Sequence, residues 1–347
     1  MTRPGFRLAL LATLLALFVV LLGAYTRLTH AGLGCPDWPG CYGLISVPVN
    51  DRQMAHAQLH FPDSPVQIAK GRSEMIHRYF AAALALTIGL LALQAWRRRH
   101  QVGQPLKLPL LLLGLVLAQA VFGMWTVTLK LWPPVVTVHL LGGVATLSLL
   151  FLLTLRLSDA FAPLPHRPAH ARRLAAVGLV LVAVQIALGG WVSANYAALA
   201  CTDFPVCQGQ WWPEADFSNG FHLTQHIGPD YLGGKLDSEA RTAIHLTHRV
   251  GALLVTLSLL MLAWQLKRVG CRRMAMLLLV ILGAQIALGI GNVLLHVPLF
   301  LAVAHSAGGA GLMLMLTLIN FCTRQPRDAR RHASGRRWPG SRQARFM

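Results

Sequence analysis

At 347 residues, 55% hydrophobic and 12% charged, the chain carries about half the charge of an ordinary soluble domain of its size, which excludes that class. The formal net charge is +19. Its basic residues gather at the ends of apolar runs, which argues against a nucleic-acid surface and for helices leaving a lipid bilayer.

A spanning helix needs about 20 mostly apolar residues. Eight runs meet that length: Phe6–Tyr25, Met75–Trp96, Leu108–Leu129, Val135–Leu155, Leu174–Ser193, Ile244–Gln265, Met274–Leu295 and Val297–Phe321. Short turns holding Pro133–Pro134, Pro163–Pro168 or Pro298 join three neighbouring pairs, and two long loops cover roughly 28–73 and 195–241. The first run reads as a retained helix rather than a cleaved signal peptide, because it takes part in the repeat described below. With the N-terminus inside, 22 of the 31 lysines and arginines fall on inside segments, so the expected orientation is N-in and C-in. The stretch from Arg324 to Arg345 reads as a solvated basic tail near anionic lipid. With no Arg/Ser-rich transit segment, a bacterial inner membrane is the expected site.

The two halves repeat. Leu22-Gly23-Ala24-Tyr25 through the Cys35 to Cys41 loop aligns with Leu188-Gly189-Gly190-Trp191 through the Cys201 to Cys207 loop, 166 positions on. Gln119 to Gly123 aligns with Gln285 to Gly289, and His139 to Gly143 with His305 to Gly309, at the same offset. His77-Arg78 aligns with His248-Arg249 at an offset of 171. The expected fold is therefore all-α and integral to the membrane: two tandem, pseudo-symmetric four-helix bundles related by an axis along the membrane normal. The units expected are 1–160, 161–323 and a basic tail at 324–347.

Each half carries two repeated histidines near the outer ends of its second and fourth spans: His77 and His139, then His248 and His305. Ionisable groups inside a membrane are costly and usually face an interior site. Two imidazoles on facing helices suit bis-histidine ligation of haem iron, and the glycine pairs one turn beyond His139 and His305 would let a flat macrocycle approach the backbone. The bland alternative is interhelical hydrogen bonding. Recurrence in two duplicated pairs favours haem, and no cluster of ligands close in sequence suggests zinc or copper.

Glu74 and His245 occupy equivalent positions three residues before His77 and His248. Spacing of three puts Glu74 one turn from His77, expected to line the same cavity. A buried acid there is a functional candidate; its alternative is an ion pair with Arg72 or Arg78. Cys35/Cys41 and Cys201/Cys207 form two C-x5-C pairs on the outer side. They read either as disulfides stapling a loop over each haem pocket or as redox-active dithiols. Cys271 and Cys322 read as reduced and structural. His30, His56, His60, His222, His226 and His296 read as solvent-facing or local hydrogen bonders.

Together GAYTRLTHAGLGCPDWPGC, EMIHR, VHLLGG, IHLTHR and AHSAGG resemble the haem A synthase family over all eight spans. The resemblance implies oxidation of a ring methyl of haem O to a formyl group, through a hydroxylated intermediate, for cytochrome oxidase biogenesis. It implies a permanent haem b on His248 and His305, the substrate haem on His77 and His139, and Glu74 as the catalytic acid of an E-x-x-H motif. It maps the first-loop cysteine pair of the family onto Cys35 and Cys41, and leaves Cys201 and Cys207 less firmly placed. It also implies an electron donor that the residues do not identify, partnership with haem O synthase and oxidase assembly factors, and room for a homo-oligomer. The competing reading is a di-haem b-type cytochrome moving electrons, in which the Glu74/His245 difference has no purpose.

Overall fold

The structure is a computed structural model and describes residues 3–101, 103–158, 169–227 and 230–323. The expected boundary near 160, the turn at Pro163–Pro168 and the basic tail lie outside these residues. The described elements are helical: α1 (Phe6–Leu28), α2 (Asp51–His60), α3 (Ile68–Arg97), α4 (Lys107–Thr128), α5 (Pro133–Leu157), α6 (Ala169–Ala194), α7 (Phe217–Gly220), α8 (Ser238–Arg268), α9 (Arg272–Leu294) and α10 (Leu299–Thr323), with one 3-10 turn at Ala197–Leu199. All except α2 and α7 are long and apolar enough to cross a membrane, which makes eight, as the sequence predicts. Large apolar side chains cover the outside of the bundle, among them Leu86, Leu117, Val180 and Val280. A lipid solvent accepts such a surface and water does not.

Two spans run longer than the hydropathy pattern suggests. α3 begins at Ile68 rather than Met75, and α8 at Ser238 rather than Ile244. Polar first turns hide these starts. In α8 the Asp237 carboxylate caps the helix by accepting from the Ala240 amide at 2.8 Å, and Glu239 favours the positive end of the dipole. Glu74 and His77 therefore stand well inside a continuous helix rather than at its edge. The first long loop also contains α2, which the hydropathy pattern does not reveal because the helix is polar; Asn50 caps it by accepting from the Gln53 amide at 3.0 Å. At α5, Pro133 and Pro134 occupy the first helical positions, where a missing amide hydrogen costs nothing.

In each half the four spans contact one another in the same ring: α1 on α3 and α5, with α4 between those two, and α6 on α8 and α10, with α9 between those two. The backbone repeats as well. Left-handed residues at His30, Tyr42, Lys130 and Leu131 recur 166 positions later at Tyr196, Gln208, His296 and Val297, so the same turns build both halves. The halves meet where α5 packs on α6 and α10, and where α1 packs on α10. Small residues bring the helices close: Ala9, Ala12 and Ala16 on α1, Ala175 on α6, and Gly190 at the α5–α6 contact. Inside lipid, apolar burial from water no longer drives helices together, so such close van der Waals packing has to.

Each bundle has two levels. Toward the ends of the eight spans away from the long loops lies solid apolar packing. It is built from Leu84, Ile88, Leu112, Leu147 and Leu150 in one half and Leu259, Leu262, Leu278, Leu316 and Ile319 in the other. Above it, toward the loop end, stand the histidines. Across the top of the seam, Arg27 donates to the Ser193 carbonyl at 2.5 Å and to the Tyr196 hydroxyl at 2.8 Å, and its guanidinium lies 4.3 Å from the Tyr196 ring centroid.

A β-carbon at Gly190 would sit 2.8 Å from Leu140 Cδ2 and press on the seam between the halves. Gly190→Val is expected to destabilise the detergent-solubilised protein by about 1–3 kcal/mol, seen as a lower melting temperature. Gly114→Ala, at a position with open space around it, should melt like wild type.

Candidate functional site

The four repeated histidines occupy equivalent places: His77 on α3 and His139 on α5 in one half, His248 on α8 and His305 on α10 in the other. Within each half the two histidines stand on spans that share their neighbours, α1 and α4 for the first pair and α6 and α9 for the second. Every imidazole lies edge-on against a glycine of the helix one span earlier. A β-carbon would stand 3.1 Å from His77 Cε1 at Gly23, 3.4 Å from His139 Cε1 at Gly123, 3.3 Å from His248 Cε1 at Gly189 and 3.0 Å from His305 Cε1 at Gly289. These glycines are the ones in the repeated Leu-Gly and Gln-x-x-x-Gly motifs. The absent side chain makes room for the ring.

The expected role of the glycine pairs after His139 and His305 needs correction. The space over Gly142 is filled by the Gln119 carboxamide and that over Gly308 by Gln285, so a β-carbon at either would overlap a glutamine. The Gln285 amide nitrogen also lies 3.4 Å from His305 Nε2. A third glutamine, Gln185, covers Gly251 in the same way. It lies 3.1 Å from His248 Nδ1 and donates to the His248 carbonyl at 2.9 Å. In the first half the equivalent positions are Val19 and Phe80, so this contact belongs to one half alone. An amide inside an otherwise apolar span was the signal available for Gln185, and the repeat pattern passed over it.

Both C-x5-C pairs are disulfides, with Cα atoms 4.8 Å apart in each, and Cys271 and Cys322 are free thiols. Each disulfide loop is tied by its aspartate. Asp37 accepts from the Tyr42 and Gly43 amides at 2.6 and 2.7 Å; Asp203 accepts from Gln208 and Gly209 at 2.8 and 2.7 Å. Those bonds and the nearby Arg249 hold the Asp203 carboxyl below the usual aspartate range. The arginine after each histidine fastens the loop to the helix. Arg78 donates to the carbonyls of Asp37 at 2.9 Å, Pro39 at 3.3 Å and Gly40. Arg249 donates to those of Asp203 at 2.8 Å and Val206 at 2.9 Å. The sequence pattern offered Arg249 only as the neighbour of His248, and Arg78 as that of His77 and as a partner for Glu74. In the structure they hold a cap over each pair.

Glu74 is buried and both of its oxygens are occupied. One accepts from the Cys35 amide at 3.0 Å and the other pairs with Arg78 at 2.5 Å, the ion-pair partner that four-residue spacing allows; Arg72 takes no part. Its carboxylate thus joins the cap to the helix one turn from His77. His245, at the equivalent place, lies 3.0 Å through Nδ1 from the Ala197 carbonyl. Among the remaining histidines His60 bonds the His56 carbonyl and His222 meets Thr224, local contacts as expected. His30 departs from that expectation: it stacks on Tyr196 of the other half, 166 positions on, with its Nδ1 3.3 Å from the Tyr196 hydroxyl.

What the pairs can hold follows from what they lack. The Nδ1 atoms of His77, His139 and His305 are buried without a hydrogen-bond partner. Among the described residues no group of three or more His, Cys, Asp or Glu is placed to hold a metal ion. A donor set of two facing imidazoles suits an iron whose other ligands come from a macrocycle, and does not suit a four-coordinate zinc site.

The sequence profile of the family described as COX15-CtaA, cytochrome oxidase assembly protein, matches residues 6–317. The chain is similar to a Heme A synthase of Shewanella oneidensis, 46% identical over 318 residues that cover 91% of this chain and 94% of that protein. It is also similar to Heme A synthases of Chelativorans sp., 30% identical across 94% of this chain and 92% of that one, and of Sphingopyxis alaskensis, 29% identical across 90% of each. The chain belongs to this family.

The glycine contacts make a direct test. Gly289→Val should push the His305 ring aside and lower haem retained by the second pair about 10–100-fold, the usual cost of misplacing a ligand. Gly283→Ala on the same helix, where a β-carbon meets nothing, should leave the Soret absorbance per chain unchanged.

Proposed function

We propose that this family member is a haem A synthase: an oxidoreductase that converts haem O to haem A, with haem b held by His248 and His305 and haem O taken between His77 and His139. The observation that carries the reading is the pair of capped bis-imidazole sites, with orphaned ring nitrogens, in a chain 46% identical to a Heme A synthase over most of its length. The units are 1–160 for substrate and 161–323 for the resident haem, duplicated about an axis normal to the membrane. The chain runs N-in and C-in through a bacterial inner membrane, with the disulfide loops on the periplasmic side, where disulfides persist. Haem O synthase and oxidase assembly factors are the expected partners, and electrons come from a donor of unidentified class.

When bound, haem b supplies one-electron redox chemistry at the second pair. The residues do the rest. His77 and His139 hold and orient the substrate, and Gly23 and Gly123 let their rings stand in place. The cap tied by Arg78 excludes water from the site, which strengthens every electrostatic interaction within it. Replacing the C–H bonds of a methyl group releases protons to the protein while the electrons leave with the oxidant that the reaction requires, and Glu74 is the acid nearest His77 along its helix. Its carboxylate can accept a proton once the bond to the Cys35 amide or to Arg78 opens, and the guanidinium beside it keeps it charged until then. The loss of that charge would loosen the cap, so proton transfer and the cap are linked through one side chain. His245 offers no such acid in the second half, which favours two different sites over the two equal sites of an electron-transfer cytochrome.

Two variants test this, with haems extracted in acid acetone from protein made beside a haem O source and weighed by mass spectrometry. Wild type should yield haem B together with haem O, its alcohol or haem A. His305→Leu should lose the haem B; unchanged haem B would refute the ligand assignment, and two haem B per wild-type chain would favour the cytochrome. Glu74→Gln should keep haem O bound while formyl product falls about 10²-fold or more. Normal product from Glu74→Gln would remove Glu74 from the chemistry and leave it a cap residue.

A further inference from the structure

A wholly apolar groove of about 360 Å³ opens on the outside of the bundle between the loop-side ends of α4 and α5, a volume within the range of ordinary ligand sites. Its walls are Phe122 and Trp125 from α4, Leu129 and Trp132 from the turn, and Val135 and Val138 from α5. Phe122 and Trp125 meet edge to face with centroids 5.3 Å apart. Trp132 is fixed from the other half of the molecule, where its indole donates to the Gln225 carbonyl at 3.1 Å. Trp125 and Val138 remain 39% and 43% exposed, so the groove has no protein cover.

The groove adjoins the first histidine pair. Phe122 precedes Gly123, the residue against which His139 rests, while Val135 and Val138 stand one turn before and one residue before His139 on α5. The second half does not repeat its walls. The residues 166 positions on are Leu288 for Phe122, Gly291 for Trp125 and Pro298 for Trp132, and the place over Gly291 is taken by Leu301, whose Cδ1 would lie 3.7 Å from a β-carbon there. Beside the Glu74/His245 and Gln185/Val19 differences, this one lies at the mouth of one pair, where it points to a difference in what each pair admits.

We propose that this groove binds the long isoprenoid chain that haem O carries and haem b does not, so that the first pair selects its substrate by the tail. The inference rests on the reading of His77 and His139 as the substrate pair. A tail lying outward between α4 and α5 stays in contact with lipid and with aromatic walls. Phe122, Trp125, Trp132 and Val138 would hold the chain beside the first pair, and so restrict how a haem bearing it can sit between His77 and His139. A haem without the chain gains none of this.

The test is a titration of the full-length protein, its second pair filled, with haem O and separately with haem B, followed by the Soret band. Wild type should bind haem O at the first pair at least about tenfold more tightly than haem B, a difference of about 1.4 kcal/mol to be supplied by van der Waals contact with the aromatic walls rather than by burial from water. Val138→Trp, which fills the groove, and Trp125→Ala, which removes its wall, should each abolish the preference by weakening haem O and sparing haem B. Retention of the resident haem B reports that each variant is folded. Equal losses for both haems, or a preference that survives in both variants, would overturn the proposal. So would a co-purified phospholipid that disappears in Val138→Trp while haem O affinity holds, since lipid would then be the occupant. A wild type that prefers neither haem yet makes haem A sinks the groove and spares the synthase; one that oxidises no haem O sinks both.

Discussion

A histidine buried in a lipid-facing bundle has two ring nitrogens to satisfy and no water to do it. Leaving one unpartnered costs about 1–3 kcal/mol, and His77, His139 and His305 each leave one. The surrounding architecture holds them in that condition. A glycine on the neighbouring helix accommodates each ring, apolar packing closes the bundle on one side, and a disulfide cap closes it on the other. Stability is given up locally so that a ligand can restore it, the usual relation between a strained site and the rigid frame around it.

Much of this was legible in the chain. Eight apolar runs gave eight spans because the hydrocarbon layer fixes helix length directly. The duplicated motifs gave the histidine pairs and the two C-x5-C loops, whose alternative as open dithiols the structure does not adopt. What stayed hidden was polar or distant. The first turns of α3 and α8 and all of α2 lack the apolar signature that marks a span. The partners of Arg78 and Arg249 are backbone carbonyls some 40 residues away, and a carbonyl leaves no mark in a sequence. The glycines were misassigned for a related reason. Gly142 and Gly308 seemed placed to admit a ligand, but Gln119 and Gln285 come from the preceding helix to fill them, and the glycines that matter to the rings are Gly23, Gly123, Gly189 and Gly289.

The two halves share a frame and differ in a few side chains that touch their sites. Glu74 ties a helix to its cap with a charge, where His245 uses a neutral contact to Ala197. Gln185 braces His248, where the first half has Val19. Aromatic walls flank His139, where the second half has Leu288 and Gly291. Duplication supplies two equivalent holders; an amide tightens one and aromatic walls open the other toward lipid, so the two pairs are not interchangeable.

The apolar floor has an electrical consequence. From His77 to the far end of α3 at Arg97 the helix runs another twenty residues, about 30 Å, through packing that carries no redox group. That distance is close to the full hydrocarbon thickness of a bilayer. The floor is therefore an insulator, and a redox group held at either histidine pair, as proposed, would be wired to one side of the membrane only. Its reductant or oxidant would have to arrive at the side of the disulfide loops or travel to it dissolved in the lipid, and a soluble carrier confined to the opposite compartment would be out of circuit.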